Sequence, residues 1–100
     1  MLKISLGRRK IRHDGRNLEI KYDIVAERMP GERETSYGML ITTEIDNTSE
    51  EALFRDISTN YNECRDILMY LKRNAVTAVS AAYVVSDLML QINSEFDLDA

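Results

Sequence analysis

The stretch LEIKYDIVAE, residues 18–27, alternates between apolar and charged side chains and decides the type of fold. In an extended chain, one face collects the apolar side chains of Leu18, Ile20, Tyr22, Ile24 and Ala26. The other face is charged, except at Val25. A period of two in residues of this type predicts a β-strand with one buried and one solvated face.

The residues that follow predict a turn and two further strands. Pro30 presets φ and Gly31 accepts a positive φ, which is typical of a tight turn. Alternation resumes over residues 37–46, after which residues 47–51 predict a polar loop and residues 52–57 a short third strand. Because these connections are too short for a parallel crossover, we expect all three strands to pair antiparallel.

Two helices are predicted in the C-terminal part. Asn60, with Glu63 three residues later, approximates a capping box. Apolar residues then recur at the spacing of an amphipathic helix of about 13 residues: Cys64, Ile67, Leu68 and Leu71. We expect Asn74 to end this helix in the left-handed conformation and Thr77 to cap a second helix over about residues 78–93.

Together these elements predict a single α+β domain, a three-stranded antiparallel β-meander packed against two C-terminal α-helices. One hundred residues are enough for one domain only. We expect residues 1–16 to be a basic N-terminal extension, residues 17–94 the domain and residues 95–100 an acidic tail that frays. Within the extension, a small strand around residues 11–13 and a mobile arm remain alternatives.

The second helix has two apolar flanks separated by a polar stripe. The broad flank, expected to meet the sheet, holds Ala78, Ala81, Ala82, Val85, Leu88, Met89 and Ile92. The narrow flank holds Val79, Tyr83 and Leu90. Either the first helix covers the narrow flank, or this flank meets a second copy of the protein.

The polar stripe of the second helix consists of Ser80, Asp87, Gln91 and Ser94. Asp87 is the one charge in the central part of this helix. At a seam between the helices it would need Arg73 or Lys72 as a partner, because a buried charge is costly unless paired. The other alternative places Asp87 on an exposed stripe.

Charge is distributed unevenly along the chain, whose net charge is -4. Residues 1–16 contain six Lys and Arg residues and one Asp, and the remaining residues are strongly acidic. The basic segment is a candidate contact for nucleic acid or another polyanion, through Arg8, Arg9, Lys10, Arg12 and Arg16. Alternatively, it folds back on the acidic body of the same chain.

Most catalytic and metal chemistries lack the residues that they need. Cys64 is the only cysteine and His13 the only histidine, so one chain forms neither a disulfide, a thiolate zinc site nor a histidine cluster. The four glycines are isolated, so no phosphate-binding loop is indicated. We predict no catalytic residues, no metal and no cofactor, with Cys64 in the core and His13 beside Asp14 in a turn.

The N-terminus lacks the apolar region of a secretory signal, and no segment is apolar enough to cross a bilayer. A single cysteine suits a reducing compartment. These features predict a cytoplasmic protein without a membrane partner.

Several short motifs resemble a family of small uncharacterised proteins of Gram-positive anaerobic bacteria, catalogued as a domain of unknown function. The resemblance covers about residues 18–90 and includes the pair Tyr37-Gly38 and the junction Asp56-Ile57-Ser58. Where the family has Val-Ser-Pro and Val-Val-Glu-Asp-Phe-Leu, this chain has residues 76–78, Val-Thr-Ala, and residues 84–89, Val-Val-Ser-Asp-Leu-Met. The resemblance implies a shared fold and brings no activity with it.

These observations favour a small interaction or regulatory module over an enzyme. We expect it to self-associate as a homodimer, or to dock an unidentified protein, through Val79, Tyr83 and Leu90 or through an edge strand. The alternative is attachment to nucleic acid or another polyanion through the basic N-terminal residues.

Overall fold

The computed structural model describes the backbone of residues 1–98 and the side chains of residues 1–90. Four strands precede two helices: β1 (Leu2–His13), β2 (Arg16–Glu27), β3 (Ser36–Ile45), β4 (Thr48–Ser58), α1 (Tyr61–Arg73) and α2 (Ala78–Leu98). The strands form one antiparallel sheet in the order β1-β2-β3-β4. The α+β class, the antiparallel sheet and the two C-terminal helices are confirmed, but the predicted number of three strands is wrong.

The additional strand is β1, which is formed by residues that we assigned to a basic extension. It pairs with β2 from Leu2 opposite Ala26 to His13 opposite Arg16. The small strand considered around residues 11–13 is therefore the last part of a much longer one. The basic segment belongs to the sheet instead of extending from it.

A bulge in β1 explains why its sequence does not show one clear period. The register shifts between Ser5 and Arg8, and Gly7 within this interval has a φ of 110°. Ile4, before the bulge, and Ile11, after it, both pack against the core. The core-facing positions thus change from even to odd numbers, because an extra residue in one strand reverses the alternation beyond it.

The fourth strand, β4, begins earlier than the sequence indicates. Only a two-residue turn at Asp46 and Asn47 separates β3 from β4, and Asp46 has a positive φ of 54°. Residues 48–51, predicted to be a loop, continue the pairing with β3 at the edge of the sheet. Their side chains are exposed and polar, which is why their pattern is typical of a loop.

One face of the sheet and both helices share a single core. Its buried members are Ile20, Tyr22, Ile24, Met39, Ile41, Cys64, Leu68, Leu71, Val76, Ala78, Ala81 and Val85. The helix α1 packs on all four strands, and α2 packs on β3 and β4. The alternation predicted for β2 and β3 is confirmed, and Val25 is buried even though it faces away from the helices.

Both helices begin with the N-cap side chain that the sequence predicts, but the capping box of α1 is incomplete, because the Asn60 N–H donates to the Ser58 hydroxyl at 3.0 Å. The side chain of Asn60 accepts a hydrogen bond from the Glu63 N–H at 3.2 Å. At the start of α2, the Thr77 hydroxyl accepts one from the Ser80 N–H at 3.4 Å. The helix α2 continues past its predicted end at Asn93 into the predicted acidic tail, of which residues 99–100 lie outside the described residues.

The end of α1 differs from the prediction by one residue. Ala75, with a φ of 51°, takes the left-handed conformation expected of Asn74. The Val76 N–H bonds to the Leu71 carbonyl at 3.0 Å and the Ala75 N–H to that of Lys72 at 3.1 Å. This is the Schellman arrangement, in which the left-handed residue is usually glycine.

Two buried hydrogen bonds hold the link between the helices on the sheet. The hydroxyl of Tyr22 in β2 donates to the Val76 carbonyl at 2.9 Å. The hydroxyl of Thr43 in β3 accepts from the Ala78 N–H, also at 2.9 Å. Burial raises the pKa of Tyr22 to about 12, partly opposed by the positive charge of Arg9, so this hydroxyl keeps its proton at neutral pH. Each bond contributes about 1 kcal/mol to the free energy of unfolding. Removal of one partner would leave the other polar group buried without a hydrogen bond.

The motifs Tyr37-Gly38 and Asp56-Ile57-Ser58 lie on opposite sides of one irregularity in the sheet. Tyr37 pairs with Ser58 and Met39 with Phe54, so Gly38 alone faces the three residues 55–57. A Cβ atom on Gly38 would overlap the carbonyl oxygen of Phe54 and lie 3.0 Å from the Cα of Arg55. These motifs therefore have a structural reason, which is the close approach of β3 and β4.

We predict that Gly38→Ala lowers the free energy of unfolding by about 3 kcal/mol, because the added methyl group meets backbone atoms that cannot rotate away. Urea unfolding followed by circular dichroism measures this change. The control is Gly31→Ala, since Gly31 has open space around it and a φ of 86°. Strain alone should cost the control about 1 kcal/mol, and equal losses in the two variants would contradict the steric explanation.

Candidate interaction surface

The face of α2 that points away from the core is apolar and open to solvent. Val79, Tyr83 and Leu90 are 64%, 77% and 63% exposed. At about 100° per residue these three positions lie within about 40° of each other around the helix axis. On the opposite side, Ala81 and Val85 are buried in the core. We call the surface around Val79, Tyr83 and Leu90 the outer face of α2.

The structure contradicts one of the two interpretations of this flank and leaves the other untested. Within the described residues, α1 and α2 each pack on the sheet and have little contact with each other. Cover by the first helix is therefore wrong as an explanation of the outer face. A contact with a second copy stays a prediction.

Two small residues also belong to the outer face. Ala82, which we placed on the core side, is exposed, as is Ser86 one turn further along α2. Ala82 was misplaced because its position is about 80° from the centre of the outer face, at the border between the two flanks. Small side chains here let another backbone come close to α2.

Polar residues border the outer face on one side. Ser80 and Asp87 are exposed, as the stripe alternative predicts, and the side chains of Gln91 and Ser94 lie outside the described ones. The alternative, in which Asp87 pairs with Arg73 or Lys72 at a seam between the helices, is not formed: Lys72 instead donates to the Leu6 carbonyl at 3.0 Å. Lys72 therefore joins the end of α1 to β1.

An open cleft of about 380 Å³ lies where the outer face of α2 begins. Its walls come from the ends of the strands, at Ile11, Leu18 and Ile45, and from α2 at Val79 and Ser80. The apolar surface of α2 is thus continuous with apolar side chains at the end of the sheet.

The candidate polyanion residues are not all free to bind a ligand. Arg9 points to the helix side of the sheet, where its guanidinium donates to the carbonyls of Lys72 at 3.2 Å and Arg73 at 3.3 Å. These carbonyls end α1, where a positive charge is favourable. Arg8 lies on the other side of the sheet and pairs with Glu19 at 2.8 Å. Sequence patterning did not reveal the role of Arg9 because the bulge in β1 determines its direction.

The other three candidates, Lys10, Arg12 and Arg16, are exposed near the end of the β1–β2 hairpin. Lys10 and Arg12 share a shallow, open surface with Glu19, Glu44 and Asp46. Carboxylates therefore neutralise part of the positive charge on this face of the sheet. Of the five candidate residues, the three that are exposed and form no hydrogen bond among the described residues therefore lie at the hairpin end.

Cys64 and His13 occupy positions that suit structural roles. The Cys64 thiol is buried and donates to the Gly38 carbonyl at 3.4 Å. Burial, and then the negative charge of Glu63, raise its pKa to about 11, so it remains protonated at neutral pH. His13 Nε2 lies 3.3 Å from the exposed Asp14 carboxylate in the hairpin.

The described part of the chain contains neither a metal-binding cluster nor a membrane-spanning helix. There, no group of three or more His, Cys, Asp or Glu side chains is placed to hold a metal ion. Neither α1 nor the described part of α2 has the length and apolar character needed to span a bilayer.

Comparison with known proteins identifies a family. The model of a family of unknown function, DUF6514, matches residues 1–91. No curated protein matches the chain. No solved structure matches it. The resemblance to a family of unknown function is confirmed, and the match includes β1.

We predict that Arg9→Gln lowers the free energy of unfolding by about 1 kcal/mol, because the end of α1 loses a charged hydrogen-bond donor. The control is Arg12→Gln at an exposed position of the same strand, which should change stability by less than about 0.5 kcal/mol. Thermal unfolding of the two variants and the wild type measures both effects. Equal stabilities of the two variants would show that Arg9 does not support α1.

Proposed function

We propose that this chain, which belongs to the family of unknown function whose model matches residues 1–91, is a small cytoplasmic interaction module that binds a second copy of itself. One observation carries the proposal: the outer face of α2 is apolar and exposed at Val79, Tyr83 and Leu90. The proposed activity is binding, with no catalytic role for any residue.

The energetic reason lies in the composition of the helix surface. A helix on the surface of a protein normally has polar side chains on its solvent side. In α2 the solvent side is apolar at Val79, Tyr83 and Leu90, with the small Ser86 beside them, and Ser80 and Asp87 lie at its border. An exposed apolar patch with a polar rim is typical of a protein interface. Tyr83 at its centre offers a large apolar ring together with a hydroxyl.

A second copy is a suitable occupant because a helix face can be complementary to itself across a two-fold axis. Ala82 and Ser86 have small side chains, so two α2 helices can approach each other closely at this face. A single helix face is smaller than the roughly 800 Å² per partner of a standard interface. We therefore expect a dissociation constant in the micromolar range.

We predict that Tyr83→Arg weakens self-association at least about tenfold, because a charge replaces the central apolar side chain of the interface. Sedimentation equilibrium from about 5 to about 500 μM measures the mass of both proteins, a range chosen to include micromolar dissociation constants. The wild type should approach the mass of two chains, and the variant should remain at one.

A matched control is Tyr70→Arg, which introduces the same charge at a 44% exposed tyrosine of α1. It should associate like the wild type. Circular dichroism and thermal unfolding show whether each variant is folded. If the wild type has the mass of one chain at every concentration, the proposal is wrong.

A second candidate function is attachment to nucleic acid or another polyanion. It is supported by the exposed side chains of Lys10, Arg12 and Arg16 at the end of the β1–β2 hairpin. It is weakened by the use of Arg9 at the end of α1 and by the carboxylates beside Lys10. Since residues 2–13 form a strand of the sheet, point variants are a better test than truncation.

If this second function is correct, the double variant Arg12→Ser with Arg16→Ser loses binding to duplex DNA or single-stranded RNA. Each phosphate contact removed should reduce the slope of affinity against salt by about 1. Filter binding over a salt series measures this slope. The control, Arg33→Ser with Arg65→Ser, changes the net charge equally at other exposed positions. Equal binding by both double variants would contradict the hairpin as the contact.

A further inference from the structure

We infer that β4 forms a second contact between copies of this chain, in which two β4 strands pair antiparallel around Leu53 and join the two four-stranded sheets into one. This contact uses the edge of the sheet and not the outer face of α2, so it does not depend on the proposed function. It rests on the direction of the backbone groups at this edge, on the exposed Leu53 and on the order of charges along β4.

The edge of the sheet at β4 is open to another strand. Within the described residues, β4 is the last strand of the sheet and pairs only with β3. Because a two-residue turn makes Ile45 and Thr48 a hydrogen-bonded pair, the even-numbered residues of β4 up to Phe54 bond to β3. The N–H and C=O groups of Glu51 and Leu53 therefore point away from β3, where a further strand can bond to them.

Apolar side chains at this edge are incompletely covered. Leu53 is 46% exposed and lies beside Leu40 of β3, on the face of the sheet away from the helices, which we call the open face. On the helix side, Ala52 and Phe54 pack against the core but are only half-buried. A strand added at the edge buries apolar surface on both faces of the sheet.

The charges along β4 match those of a second β4. Glu51 and Arg55 lie two residues before and after Leu53, and all three side chains are on the open face. Two antiparallel β4 strands with Leu53 opposite Leu53 therefore place Glu51 of each copy opposite Arg55 of the other, which is favourable. Arg55 already donates to the Glu27 carboxylate at 2.9 Å. Since a guanidinium has five N–H groups, it can also bind a second carboxylate.

The edge at β1 is unsuited to the same pairing. The bulge at Gly7 interrupts its register, and Arg8, Lys10 and Arg12 share the open face. Two antiparallel β1 strands would bring like charges together, which is unfavourable. A β1 strand against the β4 strand of another copy would leave one edge exposed at each end of the assembly, whereas the β4 pair closes on itself by two-fold symmetry.

The contact should be weak, because it involves one short strand of each copy instead of the roughly 20–30 residues a side of a standard interface. We expect a dissociation constant of about 1 mM, above the concentrations at which Tyr83→Arg tests the α2 contact. The outer face of α2 points away from the sheet, and the edge of β4 lies in the plane of the sheet. Two copies joined through α2 therefore still expose both β4 edges.

Nuclear magnetic resonance of Tyr83→Arg tests the contact without the proposed association through α2. The concentration is raised from about 0.05 to about 2 mM, a range that includes the expected dissociation constant. The amide signals of Glu51 and Leu53 should shift, and those of Lys10 and Arg12 at the β1 edge should not.

The register is tested in the same variant with a mixture of isotope-labelled and unlabelled chains. Pairing around Leu53 places Ala52 of one chain opposite Phe54 of the other, with Cα atoms about 4.5 Å apart in such a non-hydrogen-bonded pair. A filtered nuclear Overhauser experiment should therefore show a contact between these two residues of different chains.

A charge change tests the ionic pairs. Glu51→Arg should raise the dissociation constant at least about threefold, because it places two like charges together at each end of the pair. The control is Glu50→Arg, the same change at an exposed neighbour whose side chain is on the helix side. It should stay within about twofold of the unchanged strand. Circular dichroism shows whether each variant is folded.

The outcomes separate this inference from the proposed function. If no amide signal of β4 shifts up to about 2 mM, the β4 contact is wrong, while sedimentation of the wild type still decides whether α2 mediates association. If the signals of Lys10 and Arg12 shift together with those of β4, the partner strand is β1, which overturns the inference. If Glu51→Arg and Glu50→Arg weaken pairing equally, the register around Leu53 is wrong.

Discussion

Two buried hydrogen bonds fix the link between the helices on the sheet: Tyr22 donates one to Val76, and Thr43 accepts the other from Ala78. They hold the backbone at Val76 and Ala78 on the middle strands of the sheet, 2.9 Å from each hydroxyl. Since α1 ends at this link and α2 begins there, the two helices cover the sheet separately, and neither covers the other. The consequence is that α2 has one side in the core and its opposite, apolar side in solvent.

In the N-terminal strand, β1, the fold places neighbouring basic residues on opposite faces of the sheet. A run of basic residues looks like a single surface in the sequence, but a strand distributes its side chains over two faces. In β1 this separates Arg9, which stabilises the end of α1, from Arg8, which pairs with Glu19 on the other face. The family motifs around Gly38 are explained by backbone packing between β3 and β4. They therefore have a role in the fold.

Much of the fold was predictable because its signals are local. Alternation in β2 and β3, the Pro30-Gly31 turn and the helix caps at Asn60 and Thr77 each depend on residues close in sequence. The failures have equally specific causes. The bulge at Gly7 reverses the alternation of β1, and the exposed edge of β4 is polar. Ala75 takes a left-handed conformation without glycine or asparagine to indicate it, because the backbone there is also held by Val76.

For the candidate surface, the sequence by itself determined that Val79, Tyr83 and Leu90 share one flank of α2, since helical periodicity decides which side chains point the same way. It also determined the class of fold and the charge of each end of the chain. Only the tertiary structure decided that this flank is uncovered, that Ala82 belongs to it and that Arg9 is engaged. The physical reason is that periodicity sets the direction of a side chain relative to its own element, whereas its neighbours depend on where distant elements pack.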